Sequence, residues 1–233
     1  MQDLFQLLSE NTYPGRGIAL GRSADNKRAV IVYFIMGRSE NSRNRVFEVT
    51  EDGIRTKAFD ESRMEDPSLI IYHPVRVTDK GTVVTNGDQT DTVRDYLVKG
   101  ESFAAALRTR EFEPDGPNWT PRISGLVSPD GSYKLSILKS ADGDERCCQR
   151  FFYEYDSPIA GQGHFISTYE TDGSPLPSFK GEPRCVAFGN ESAEELAGKV
   201  WTALNADNKV SLFVRTIDIA SGETDTAIIN KHQ

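Results

Sequence analysis

Cysteine and histidine are scarce in this chain of 233 residues, with three of each. Cys147 and Cys148 are adjacent and Cys185 stands alone, which is neither a disulfide framework nor a zinc spacing and fits a reducing compartment. His73, His164 and His232 lie far apart and lack partners at metal-ligand intervals, so no metal site is expected. None of them accompanies a serine or cysteine in a recognisable elbow, which excludes serine-hydrolase chemistry. The longest apolar run, Ala29 to Met36, is far short of the roughly 20 residues that cross a bilayer. The opening MQDLFQLLSEN has an acidic residue at position 3 and no apolar core, so no secretory signal is expected and the cytoplasm is the expected location. Positive charge is also in deficit: 27 Lys and Arg against 35 Asp and Glu leave a net charge of -8. Such a field repels phosphate polymers and anionic membranes, so neither nucleic acid nor membrane is expected as a partner. A small phosphorylated ligand stays open, because a few arginines in one pocket set the local potential whatever the total.

What is present suffices for a folded core: 37% of residues are hydrophobic, including 8 Tyr and 12 Phe. No stretch has the composition of a flexible linker, so 1–233 is read as a single domain. After a short amphipathic segment (Leu4, Leu7, Leu8), strands are expected at 17–20, 29–36, 45–50, 54–59, 69–72, 75–78 and 82–85. The period then changes. Thr92, Val93, Tyr96 and Leu97 fall at helical spacing, and SFAAALRTR (102–110) favours helix. Strands resume at 123–127, 133–138, 147–155 and 164–169. Ser192 with Glu195 forms a capping box ahead of a helix from about 193 to 204, and strands at 210–217 and 226–229 close the chain. Blocks of strands between blocks of helices indicate an α+β fold of antiparallel sheets with helices on the faces. The Gly- and Pro-rich loop 172–183 reads as a surface excursion.

Several polar passages stand out. Gly15-Arg16-Gly17 with Gly21 precedes an apolar strand instead of opening a helix, so it reads as turn glycines framing a strand and not as a dinucleotide loop. Gly37 to Arg45 sets Arg38, Arg43 and Arg45 among hydroxyl and amide groups after a strongly apolar strand, either a solvated loop or an anion clamp. Thr85 to Asp91 joins a strand to a helix, where Asp88 or Thr90 would cap and the surplus of polar groups would meet a ligand. Glu113 precedes Asn118-Trp119-Thr120-Pro121-Arg122. As a surface glutamate it would be inert, but against an apolar wall its pKa would rise and let it exchange protons near neutrality. Tyr72, before His73-Pro74, fits a half-buried sheet tyrosine as readily as a catalyst.

In their order these passages resemble the archaeal-type IMP cyclohydrolase family from Tyr13 to about Tyr169. The segments that carry the resemblance are Tyr13-Pro14-Gly15-Arg16 with Gly21, Arg38-Ser39, Asn44-Arg45, Pro67 with Tyr72, and Val84-Thr85-Asn86-Gly87 with Thr90-Asp91-Thr92. Glu113, Thr120-Pro121-Arg122-Ile123 and Ile166-Ser167-Thr168-Tyr169-Glu170 complete the set. The resemblance implies a four-layer α-β-β-α sandwich like that of the N-terminal nucleophile hydrolases, without their nucleophile, since about a dozen residues precede Tyr13. It implies dehydrating ring closure of 5-formamidoimidazole-4-carboxamide ribonucleotide to IMP, a step of purine biosynthesis in the cyclic amidine hydrolase class, without metal or organic cofactor. The implied catalytic residues are Tyr72, Glu113 and Arg45. Arg16, Arg38, Asn86, Thr90, Asp91, Thr120 and Arg122 would bind the purine nucleotide substrate. Tyr72 would donate to the formyl oxygen while Glu113 relays protons, with the two roles interchangeable at this stage. The oligomeric state, a homo-oligomer included, stays open.

The chain also departs from the family pattern. Asp88-Gln89 stand where the pattern has Ser-His, His73-Pro74 follow Tyr72, Trp119 is an insertion, and the N-terminal segment and 141–146 are additions. Two other functions therefore stay in play: a paralogue acting on another amide-bearing nucleotide, and a non-catalytic nucleotide-binding module.

Overall fold

Alternation within single strands builds the molecule outward from its centre. In the computed structural model, which describes residues 1–64, 67 and 69–232, the second strand (β2, Arg28–Met36) is buried nearly throughout. Its Ile31, Tyr33 and Ile35 point into one apolar cluster, and Val30, Val32, Phe34 and Met36 into another. A strand with two apolar faces must lie between two layers.

β2 is central in a six-stranded sheet with β1 (Arg16–Arg22), β10 (Gln162–Ser167), β11 (Arg184–Ala187), β12 (Lys209–Asp218) and β13 (Thr224–Asn230), in the order β11-β10-β1-β2-β12-β13. A seven-stranded antiparallel sheet runs in chain order through β3 (Arg45–Thr50), β4 (Gly53–Ala58), β5 (Val75–Thr78), β6 (Gly81–Thr85), β7 (Arg122–Val127), β8 (Tyr133–Ala141) and β9 (Asp144–Tyr155). Ile18, Ile31, Tyr33 and Phe213 of the first sheet meet Phe47, Val84, Ile123 and Leu135 of the second in a shared core. On the outer face of the six-stranded sheet lie α1 (Leu4–Ser9) and α5 (Ala193–Ala203), packed through Leu4, Leu8, Leu196 and Val200. On the other sheet lie α3 (Gln89–Val98) and α4 (Phe103–Arg108), packed through Val93, Leu97, Phe103 and Leu107. The architecture is the expected α+β sandwich of antiparallel sheets flanked by helices. The capping box that starts α5 is formed as read, Glu195 N donating to Ser192 Oγ at 3.2 Å and Ser192 N to Glu195 Oε2 at 2.9 Å.

Three elements lay outside the sequence reading: α2 (Glu40–Arg43), a single turn, the 3-10 turn Glu61–Arg63, and the edge strand β11. One expectation is corrected. Leu69 to Tyr72 is not a strand, and Ser68 lies outside the described residues. Thr56 of β4 holds this segment with one backbone bond, its N donating to Tyr72 O at 2.8 Å, and with its side chain, whose Oγ1 donates to Ile70 O at 2.7 Å and accepts from Tyr72 N at 2.8 Å. The 172–183 loop is only partly a surface excursion, since Leu176 and Phe179 are buried. Among the described residues no helix is long and apolar enough to cross a membrane.

Candidate functional site

One edge of the sandwich collects the starts of β1, β3 and β7 and the ends of β2, β6 and β10, because antiparallel pairing returns alternate strand ends to the same side. Arg16 lies opposite Ile35 near the end of β2, and Arg38 follows that strand. Gly15 makes this entry possible. Its φ is +77°, and a Cβ there would stand 2.3 Å from Thr168 Oγ1, so the chain turns against β10 only with glycine.

A cavity of about 380 Å³ opens at this edge, lined by Arg16, Arg38, Glu113, Thr120, Tyr13 and Tyr169 among others. A larger concavity of about 920 Å³ lies between α1 and α5, but it is an open groove lined by surface side chains such as Gln6, Glu194 and Lys199. The smaller cavity is the candidate site, because Glu113 and Arg16 are buried there and face each other.

Glu113 lies between α4 and β7 and is 2% exposed. Its Oε2 is 3.6 Å from Arg16 Nη2, and Asn86 Nδ2 approaches Oε1 at 3.4 Å. Burial raises its pKa, outweighing the opposing pull of Arg16 and Arg122. Arg16 is pulled down by burial, but the charge of Glu113, with Tyr169, Tyr72 and Tyr13, lifts it well above its ordinary range, so it stays a cation. Its Nε has no hydrogen-bond partner among the described residues.

Tyr72 and Arg45 do not line this cavity. Both are buried, and both share the neighbourhood of Arg16. The Tyr72 hydroxyl lies 2.8 Å from that of Tyr33. Arg45, 1% exposed, donates through Nε to Ser42 O at 2.8 Å, while its Nη1 has no partner and no carboxylate forms an ion pair with it among the described residues. Burial lowers its pKa.

The rest of the wall is aromatic and polar. Tyr13 and Tyr169 stack with centroids 6.0 Å apart, and the Arg38 guanidinium sits 5.0 Å from the Tyr13 centroid. Arg38 also donates to Asp172 Oδ1 at 2.5 Å and to Gly173 O at 2.9 Å. Thr120 Oγ1 shares a 2.5 Å hydrogen bond with the Tyr169 hydroxyl, and its amide donates to Asp115 at 2.7 Å. Burial pushes the Tyr169 phenol up to about 12.

Three of the residues expected to bind substrate stand behind this wall instead. Asn86 is fully buried: its Oδ1 accepts from Gln89 Nε2 at 3.0 Å and from Ile123 N at 2.8 Å, and its Nδ2 donates to Pro121 O at 2.9 Å. Arg122 donates to Gln89 Oε1 at 2.6 Å and pairs with Asp88 at 2.7 Å. Thr90 shares its hydroxyl with Thr85 Oγ1 and donates to Gly87 O, and neither it nor Asp88, the N-cap of α3, makes the expected capping bond. Asp91 is outside the cavity, with Arg76 Nε 2.9 Å away, and the ion pair turns its carboxylate to the far side of α3. The two departures from the family pattern, Asp88 and Gln89, thus fasten Arg122 and Asn86 behind Glu113. Inserted Trp119 packs edge-on against Phe112, centroids 5.9 Å apart, and is not part of the cavity lining.

Tyr33 escaped sequence reasoning because an apolar strand hides it; a lone hydroxyl in the run from Ala29 to Met36 was the available signal. Tyr13 and Tyr169 were visible in the family segments without a role. Among the described residues no group of His, Cys, Asp and Glu could hold a metal ion.

The sequence model of a family described as IMP cyclohydrolase-like protein matches residues 13–223. Curated relatives include the IMP cyclohydrolase of Methanopyrus kandleri, 30% identical over 161 residues (67% of this chain and 75% of the relative). That of Methanococcus aeolicus is 25% identical over 211 residues (88% and 96%), and that of Halobacterium salinarum 22% over 222 residues (94% and 98%).

Proposed function

Because the chain belongs to the IMP cyclohydrolase-like family, we propose that it closes the second ring of the purine base, converting 5-formamidoimidazole-4-carboxamide ribonucleotide to IMP and water. The observation that carries this reading is the buried pair of Glu113 and Arg16, a carboxyl and a cation facing each other in one small cavity, with the Tyr72 phenol in the neighbourhood of Arg16 behind its wall.

In this reaction the carboxamide nitrogen attacks the formyl carbon of the same molecule. A C–N bond forms and the carboxamide nitrogen loses one proton; the C–O bond then breaks as the formamide nitrogen gives up its proton and forms a C=N bond, so the formyl oxygen leaves as water carrying both protons. No electron donor or group carrier enters the balance, so the proposed chemistry is free of cofactor. Glu113 accepts the nitrogen's proton and returns one to the departing oxygen. A carboxyl whose affinity for protons is raised by burial serves both steps. Tyr72 stands behind the wall, two residues on from Ile70 of the lining and in the neighbourhood of Arg16, so in this reading the formyl group must pass Arg16 to reach the Tyr72 hydroxyl. Arg16 and Arg45, with donors left over, stabilise the charge that develops on that oxygen. Holding both reacting groups in one shaped cavity supplies the near-attack geometry.

Arg38 at the mouth takes the phosphate, and the stacked Tyr13 and Tyr169 border the base. Thr120 lines the same wall, while Asn86 and Arg122 position Glu113 from behind. A nucleotide monophosphate does not cross membranes unaided, which favours the cytoplasm as the location of the reaction.

The test is to mix purified protein with the formylated nucleotide and follow the ultraviolet change as the purine ring forms. IMP formation that Tyr72→Phe and Glu113→Gln lack supports the assignment. Tight binding without turnover favours a binding module, and turnover of a different amide-bearing nucleotide favours a paralogue.

A further inference from the structure

Tyr33 is a buried polar group at this site that the proposed chemistry leaves unused. It sits on the inner face of central strand β2, opposite Ile18 on one side and Phe213 on the other, and is wholly inaccessible. Phe47 stacks on its ring at 5.7 Å, fixing the direction of the hydroxyl. Among the described residues its only hydrogen bond is to the Tyr72 hydroxyl, at 2.8 Å.

Either hydroxyl could donate in this bond, and burial distinguishes the two arrangements. Were Tyr72 the donor, the wholly inaccessible Tyr33 proton would have no acceptor among the described residues, since the charged groups near it, Arg16 and Arg45, only donate, an arrangement folded proteins avoid. With Tyr33 as donor, its own proton is satisfied and the free proton is the one on Tyr72, the more accessible of the pair at 6% exposure against 0%. Burial, and then the neighbouring Tyr72, push the Tyr33 phenol well above its ordinary range, so it keeps its proton throughout. Arg16 and Arg45 flank the pair with spare donors and add positive potential where negative charge would gather.

We propose that Tyr33 is the positioning residue of the site: it donates to Tyr72 Oη, orients the Tyr72 proton toward the incoming carbonyl oxygen and strengthens it as a donor. This rests on the ring-closure reading for its substrate, but the pairing itself does not.

The experiment is a double-mutant cycle in the full chain, with Tyr33→Phe, Tyr72→Phe and both together, assayed on the formylated nucleotide. Tyr33→Phe keeps the ring volume and should lower kcat about tenfold, the order of one hydrogen bond, with KM held within about twofold. Added to Tyr72→Phe, it should cost almost nothing more, because its partner is already gone. Losses that multiply, or an unchanged kcat in the single variant, overturn the proposal. Should Tyr33→Phe fail to fold, 3-fluorotyrosine placed at position 33 keeps the hydroxyl as a stronger donor. It should raise kcat with KM fixed, and no change overturns the proposal.

A second readout separates this inference from the function. In substrate-free protein labelled at tyrosine Cζ, removing the Tyr33 hydroxyl should move the Tyr72 resonance. If the parent protein fails to form IMP, the functional reading falls and this resonance alone decides the pairing. A Tyr72 signal that stays in place overturns it.

Discussion

Replacing Glu113 by Gln changes one oxygen for an amide in a site that is 2% exposed, and the consequences depend on pH. At the observed 3.6 Å, the attraction of ionised Glu113 for Arg16 is about 4–5 kcal/mol at an effective dielectric constant of roughly 20. Against it stands the several kcal/mol that removing a carboxylate from water costs, with only the long Asn86 contact at 3.4 Å as a further side-chain donor. Burial prevails and the native pKa lies above the ordinary carboxylate value. The native state therefore binds the Glu113 proton more tightly than the unfolded chain does. The stability this contributes is fully present below the unfolded value, near 4.5, and is lost as pH rises through the native one. The amide of the Glu113→Gln variant does not titrate, so the stability of the parent relative to the variant should fall over that window, by about 1.4 kcal/mol for each tenfold loss of acidity. Urea denaturation of both proteins at intervals from pH 4 to pH 8 measures the difference. A flat difference, or one that grows in the parent's favour with pH, would mean that Arg16 outweighs burial and would refute the reasoning. Ring closure by the variant should drop by roughly 10²–10⁴, the range for a lost proton-transfer group. Undiminished turnover would remove Glu113 from the chemistry.

Arg45→Met should melt at the same temperature as the parent or higher, because a buried cation without a carboxylate costs more than it returns, while ring closure is lost; a large fall in melting temperature would show that Arg45 holds the fold. Asn86→Ala removes bonds to Gln89, Ile123 and Pro121 and should cost about 3 kcal/mol or more in urea denaturation. Arg38→Ala should raise KM about tenfold or more with kcat nearly constant, as expected for loss of a phosphate contact remote from the reacting atoms. Asp172→Asn should change stability by less than about 1 kcal/mol, since its pair with Arg38 is solvent-exposed, and should lower KM by freeing the guanidinium.

Much of this protein was legible in its residues because the signals are local. The double-sided burial of β2 is written in the unbroken run from Ala29 to Met36, and the start of α5 in Ser192 and Glu195. The ordered polar passages carried the family. Leu69 to Tyr72 misled because its apolar residues have strand composition, while only one backbone bond, from Thr56 N to Tyr72 O, ties it to β4 and the Thr56 side chain, 14–16 residues away in sequence, makes the others. Asp91 looked like a ligand contact because it follows a polar turn, and only the packing of α3 on β5 shows Arg76 claiming its carboxylate. Composition and spacing determine which groups are available and which strands have two apolar faces. Which of those groups face one another was decided by the closure of two sheets on a shared core, since antiparallel pairing carries Arg16, Arg45, Tyr33, Tyr72 and Glu113, spread over some hundred residues of chain, to one edge where burial changes their chemistry.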